Sequence, residues 1–110
     1  MAEVLVSFTV PTRSPTGDLY WPRALGRRAD DGLWQGWIEF TRAGDDVVVC
    51  TARESTQPNR ADLMYWAQGL TATYLEGALD RALKPAPTTV PRRDDRPEFV
   101  NFLPSVELPP

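Results

Sequence analysis

Histidine is absent from this chain of 110 residues, and Cys50 is its only cysteine. Without histidine, the usual serine and cysteine hydrolase dyads cannot form. One cysteine cannot complete a zinc site or an internal disulfide. Cys50 follows three valines, and a thiol in such a β-branched run usually behaves as a small buried hydrophobe. We therefore expect no enzyme activity, no cofactor and no metal.

Long apolar runs and a basic excess are also missing. No apolar run reaches the roughly 18 residues that a membrane-spanning helix needs, and the N-terminal segment lacks the basic lead and cleavage site of a signal peptide. We therefore expect a cytoplasmic protein that does not bind membranes. Twelve basic residues against fifteen acidic ones give a net charge of -3, which argues against a broad nucleic-acid footprint.

The residues that are present predict an α+β fold, with a single domain over residues 1–84. Alternating apolar residues predict four strands, Glu3–Val10, Leu19–Arg28, Leu33–Thr41 and Val47–Arg53. The short turns between them favour a four-stranded antiparallel meander. Pro22 suggests that the second strand lies at an edge or contains a bulge, because proline cannot donate to a ladder.

Helix signals follow the strands. Asn59 is a good N-cap before an apolar pattern of helical spacing, and Gly69 favours a left-handed end to that helix. Thr73 with Glu76 matches a capping box at the start of a second helix. We expect one helix kinked at Gly69, or two short helices, packed on one face of the sheet.

Residues 85–110 form a proline-rich tail with seven of the 11 prolines. This composition predicts an extended segment rather than a helix or a sheet. An apolar patch formed by Phe99, Phe102 and Leu103 interrupts it. The patch either folds back and adds cover to a small core, or it docks on a partner.

Tryptophan and arginine alternate with other residues along the second strand, and the third strand carries further tryptophans. Trp21, Arg23 and Arg27 share one face of the second strand, and Trp37 lies among polar neighbours on the third. If those faces coincide, these side chains lie together on the outer surface of the sheet. Two interpretations stay open: a binding face with aromatic and arginine anchors, or cross-strand packing of arginine over tryptophan.

The polar connection before the first helix is a second candidate site. It contains Arg53, Thr56, Asn59 and Arg60. Free amides and the helix dipole at a helix N-terminus favour an anion, and two arginines strengthen a phosphate or carboxylate site. The alternative is that Asn59 caps the helix, Thr56 closes a turn and the arginines pair with nearby acids.

Four segments carry a family resemblance. They are WQGWIEF at Trp34–Phe40, RESTQPNR at Arg53–Arg60, YWAQGL at Tyr65–Leu70 and YLEGAL at Tyr74–Leu79. In these segments the chain resembles a family of small uncharacterised bacterial proteins. The resemblance covers about residues 20–84 and excludes the tail. It implies a bacterial cytoplasmic origin but no activity and no catalytic residue.

These observations together predict a non-catalytic protein-interaction module. It uses either the Trp/Arg sheet face or the apolar tail patch, and its partner is another protein or a second copy in a homodimer. The first alternative is a small anionic-ligand or nucleotide binder at the Arg53–Arg60 connection. The second is single-stranded nucleic-acid binding by base stacking on tryptophan and arginine, which the acidic net charge disfavours.

Overall fold

A computed structural model describes residues 1–84 as a sheet backed by two helices. The elements are β1 (Glu3–Ser7), β2 (Thr12–Arg13), β3 (Leu19–Arg28), β4 (Trp34–Arg42), β5 (Val48–Cys50), β6 (Ser55–Gln57), α1 (Arg60–Gln68) and α2 (Ala72–Leu83). The predicted α+β class is therefore confirmed. Residues 85–110, with the expected tail and its patch Phe99, Phe102 and Leu103, lie outside the described residues.

The sheet is open and antiparallel, in the order β1-β3-β4-β5. β2 also pairs with β3, and β6 also pairs with β4. The expected count of four strands is therefore wrong, because the described residues contain six. Two long inner strands each carry two short outer strands, so each edge of the sheet is divided in the middle.

The division between β1 and β2 lies beside a proline in β3. Pro22 is buried in an inner strand, so the expected edge position for it is wrong. The Phe8 N–H donates to the Pro22 carbonyl at 3.1 Å. An antiparallel pair would normally return a bond from the opposite residue, but Pro22 has no N–H to donate. The edge ladder is interrupted at this point and resumes at β2.

β5 and β6 are separated by residues that do not pair with β4. The Thr51 N–H donates to the Ile38 carbonyl, and the Thr51 hydroxyl accepts from the Ile38 N–H at 3.0 Å. The next paired residues are Ser55 on the edge and Gly36 on β4. The edge therefore has more residues between Thr51 and Ser55 than β4 has between Ile38 and Gly36. The extra residues bulge from the ladder, which is how a sheet edge commonly redirects a side chain.

Both helices pack on the same face of the sheet. α1 lies over β1, β4 and β6, and α2 lies over β2 and β5. Their buried side chains meet inward-facing strand residues in two clusters, one of Tyr20, Ile38, Phe40, Leu75, Ala78 and Leu79, the other of Leu5, Ala24, Leu63 and Ala67. Each large apolar side chain buried here contributes roughly 1.5–3 kcal/mol to folding. The opposite face of the sheet receives neither helix.

A pair of glycines lets α1 approach the sheet closely. Gly26 and Gly36 lie directly opposite each other on β3 and β4. A Cβ at Gly36 would lie 2.6 Å from Trp66 Cζ3 and 2.8 Å from Leu63 Cδ1. A Cβ at Gly26 would lie 2.6 Å from Leu63 Cδ2. The side chains of α1 therefore occupy space that any other residue at these positions would fill.

The helices are separate, and their caps are in part those expected. The Asn59 side chain accepts from the backbone N–H three residues later at 2.9 Å, which confirms it as the N-cap of α1. Gly69 ends α1 with φ of -91°, so the expected left-handed ending is wrong. Thr71 rather than Thr73 caps α2, because its extended backbone lets its hydroxyl accept from the Tyr74 N–H at 3.2 Å.

We predict opposite effects for two glycine-to-alanine changes. Gly36→Ala should destabilise the protein by about 1–3 kcal/mol, because the new methyl group overpacks the contact with Trp66 and Leu63. Gly77→Ala is the matched control. Its Cβ would meet only Arg81 Nη1 at 3.5 Å in α2, so it should stabilise by roughly 0.5–1 kcal/mol. Urea unfolding followed by circular dichroism measures both, and equal effects would contradict the account.

Candidate functional site

The sheet face opposite the helices, which we call the open face, brings the predicted tryptophans and arginines together. Antiparallel register pairs β3 with β4 residues across it: Trp21 with Thr41, Arg23 with Glu39, Leu25 with Trp37, and Arg27 with Gln35. Their neighbours along each strand, such as Ala24 and Ile38, point into the helix-covered core. The two strand faces expected from alternation therefore coincide.

Apolar side chains extend the open face onto both edges. Val4 of β1 lies opposite Leu25, and Val48 of β5 lies opposite Thr41. Trp21 is 44% exposed, and Val4 and Val48 are also exposed. Leu25 is only 8% exposed although neither helix covers it, so its neighbours on the face shield it. The apolar residues form two patches, Trp21 with Val48 and Leu25 with Trp37 and Val4, and the row of Arg23 and Glu39 lies between them. Exposed apolar patches mark interaction sites more often than scattered exposed residues do.

One charge pair crosses the open face. The Arg23 Nε donates to Glu39 Oε1 at 2.8 Å, and its Nη2 bonds the same oxygen. The Arg23 side chain is 43% exposed and the Glu39 side chain 18% exposed, so the pair is partly buried. The pair neutralises the centre of the face. Arg27 and Arg53, by contrast, form no ion pair within the described part of the chain.

These two arginines line a shallow depression of about 370 Å³, which we call the arginine concavity. Its lining consists of Met1, Ala2, Arg27, Gln35, Trp37, Cys50, Thr51 and Arg53. Arg27 comes from β3 and Arg53 from the bulge between β5 and β6, so they flank β4 from opposite sides. Among the residues of 1–84 that line it, none carries a carboxylate. The concavity is therefore electropositive in an acidic chain.

Cys50 is exposed on the open face, and the expectation that it is buried is wrong. It lies opposite Glu39 in a three-residue edge strand, and the valines before it do not enclose it. Partial burial raises the pKa of the Cys50 thiol, the negative charge of Glu39 raises it further, and Arg23 lowers it in part. The thiol is therefore protonated at neutral pH and is a weak nucleophile.

The four residues of the predicted anion site do not converge. Arg60 binds Glu3, with Nη2 2.6 Å from Oε2, and the Arg60 guanidinium lowers the pKa of that carboxyl. Asn59 caps α1. Thr56 is exposed on β6, opposite a residue of the open face. Arg53 lines the arginine concavity instead. The helix N-terminus and the two arginines thus belong to different parts of the surface.

Five lining residues were not among the predicted site residues: Met1, Ala2, Gln35, Cys50 and Thr51. Gln35 shares its face with Trp37, and the strand alternation that placed Trp37 also indicates Gln35. Thr51 lines the concavity while its hydroxyl bonds the Ile38 N–H. No periodic pattern signals that role, because it depends on the bulge that follows.

Glu54 ties the edge of the sheet to α2 rather than serving the open face. It accepts hydrogen bonds from the Tyr74 hydroxyl and from Arg81. Partial burial and then the Glu54 charge raise the pKa of Tyr74. These contacts explain why Glu54 does not neutralise the neighbouring Arg53.

Within residues 1–84, no three histidine, cysteine or acidic side chains lie close enough together to hold a metal ion. Neither helix in that range has the length and apolar character needed to cross a membrane. No protein family, no curated protein and no solved structure matches this chain. The resemblance to a bacterial family therefore stays a prediction.

We predict that Glu39→Gln makes Cys50 more reactive. The change removes the carboxylate that raises the thiol pKa and leaves Arg23 without its acidic partner. Both effects favour the thiolate, so the thiol pKa should fall and alkylation by iodoacetamide at pH 8 should accelerate. Mass spectrometry follows the reaction. Glu76→Gln, on the exposed side of α2, is the control, and equal rates in the two variants would contradict the prediction.

Proposed function

We propose that this chain is a non-catalytic protein-interaction module that binds its partner through the open face. The observation that supports this most strongly is the uncovered sheet surface around Trp21, Leu25 and Trp37, to which neither helix packs. Tryptophan and arginine are the residues most enriched among the anchors of protein interfaces. Here the tryptophans and Arg23 and Arg27 are held on two long paired strands, so the backbone loses little conformational entropy on binding.

The charges on the face favour a partner that presents acidic groups. Arg27 and Arg53 have no acidic partner within residues 1–84, whereas Glu39 is already bound to Arg23. Acidic groups on the partner would complement the two arginines and fix the register of docking. In a symmetric homodimer with its twofold axis near Arg27 and Arg53, the arginines of the two copies would face each other and repel. A different protein therefore fits this face better than a second copy.

The chemistry of the surface groups supports a binding role rather than a catalytic one. The pKa of the Cys50 thiol is raised, which makes it a poor nucleophile. The carboxylates nearest the face, Glu39 and Glu54, are both engaged by arginine.

We predict that Trp21→Ala removes partner binding without unfolding the chain. Trp21 is 44% exposed on the open face, so its loss costs the core little but removes an aromatic anchor. The control is Tyr65→Ala, which removes an 82% exposed aromatic ring from α1 on the helix side. The measurement is quantitative mass spectrometry of proteins that the immobilised full chain captures from an extract of its source organism.

A specific partner should be captured at least about tenfold less by Trp21→Ala and equally by Tyr65→Ala. Equal loss in both variants, or no loss in either, would rule out the open face as the binding surface. Sedimentation equilibrium of the same proteins tests self-association. A dimer that only Trp21→Ala dissociates would show that the partner is a second copy and would contradict the preference for a different protein.

A further inference from the structure

The two arginines of the arginine concavity are placed to act on one anion. β3 and the β5–β6 edge lie on opposite sides of β4, so the backbones that carry Arg27 and Arg53 are separated by two strand spacings, about 10 Å. Both side chains line the same depression above β4. An anion between them would meet two guanidinium groups, each of which can donate two parallel hydrogen bonds to a carboxylate or phosphate.

Of the four arginines in residues 1–84 that form no ion pair, Arg13, Arg27, Arg28 and Arg53, two line the same depression. Five ion pairs occupy Arg23, Arg42, Arg60, Arg81 and Lys84. Arg27 and Arg53 form none within residues 1–84, and no acidic residue lines their concavity. Two guanidinium groups that face one depression repel each other, and a bound anion would relieve that repulsion.

The floor of the concavity offers a flat surface and an amide. Trp37 is half-buried and lies directly opposite Leu25 on the open face. Gln35 is the next residue of β4 on this face, and its amide can both donate and accept. A planar ring can stack on the Trp37 indole while a linked anionic group reaches the arginines.

We propose that the arginine concavity binds a small molecule in which a phosphate or carboxylate is joined to a planar ring, with Arg27 and Arg53 holding the anion and Trp37 stacking on the ring. The volume of about 370 Å³ lies in the range of small-ligand sites. This site keeps Arg53 from the anion site predicted before α1, but it does not include Arg60, which is bound to Glu3. It shares Arg27, Arg53 and Trp37 with the proposed partner surface, but Trp21 does not line the concavity, so different variants test the two proposals.

Isothermal titration calorimetry of the full chain tests the proposal with four probes: adenosine monophosphate, adenosine, inorganic phosphate and indole-3-carboxylate. The nucleotide or the aromatic carboxylate should bind more tightly than adenosine or phosphate alone. Whichever of the two binds more tightly identifies the source of the anion. Arg53→Gln should weaken that binding at least about tenfold, because a hydrogen bond to a charged group is lost.

Arg28→Gln is the matched control. It removes the same charge from the next residue along β3 after Arg27, but Arg28 lies near Gly32 of the turn and does not line the concavity. Its binding should stay within about twofold of the parent chain, a difference of about 0.4 kcal/mol. Trp21→Ala should also retain ligand binding, which separates this test from that of the protein partner.

Three results would overturn the proposal. The first is equal weakening by Arg28→Gln and Arg53→Gln. The second is adenosine or inorganic phosphate binding as tightly as the nucleotide and the carboxylate. The third is no heat of binding from any probe up to about 10 mM, a concentration at which even a weak site fills.

Discussion

The contact on which the rest of the structure depends is the seating of α1 on the glycine pair of the inner strands. Gly26 and Gly36 lie opposite each other, and Leu63 and Trp66 fill the space that their missing side chains leave. This close approach places α1 on one face of the sheet, and α2 follows on the same face after a short junction. Since both helices use one face, the other keeps its aromatic and charged side chains at the surface.

The divided edges of the sheet determine what the open face presents. On one side, the ladder is interrupted beside Pro22, which cannot donate a hydrogen bond. On the other side, surplus residues after Thr51 leave the ladder and bring Arg53 over the face. The second interruption has a direct consequence for binding, because it places Arg53 across β4 from Arg27 while its neighbour Glu54 is bound to Arg81. A regular edge strand would not supply this pair.

Sequence patterns predicted the parts of the fold that depend on local periodicity. Strand alternation placed Trp21 and Trp37 on a common face, and the cap at Asn59 was found from residue type alone. The divided edges escaped prediction, since they depend on hydrogen bonds between distant strands. For the same reason, Arg60 was grouped with Arg53, although Glu3, 57 positions away in the chain, binds it. Cys50 was predicted to be buried from its neighbours in sequence, whereas its exposure follows from its place at an edge.

The central claim is that the open face, and not the helix-covered face, contacts other molecules. The four tryptophans test it directly because they divide evenly: Trp21 and Trp37 lie on the open face, and Trp34 and Trp66 pack with the helix-side core. Fluorine NMR of the full chain labelled with 5-fluorotryptophan, titrated with an extract of the source organism, follows each separately. We predict that the signals of Trp21 and Trp37 broaden or shift while those of Trp34 and Trp66 do not. Changes confined to Trp34 and Trp66, or no change in any signal, would contradict the account.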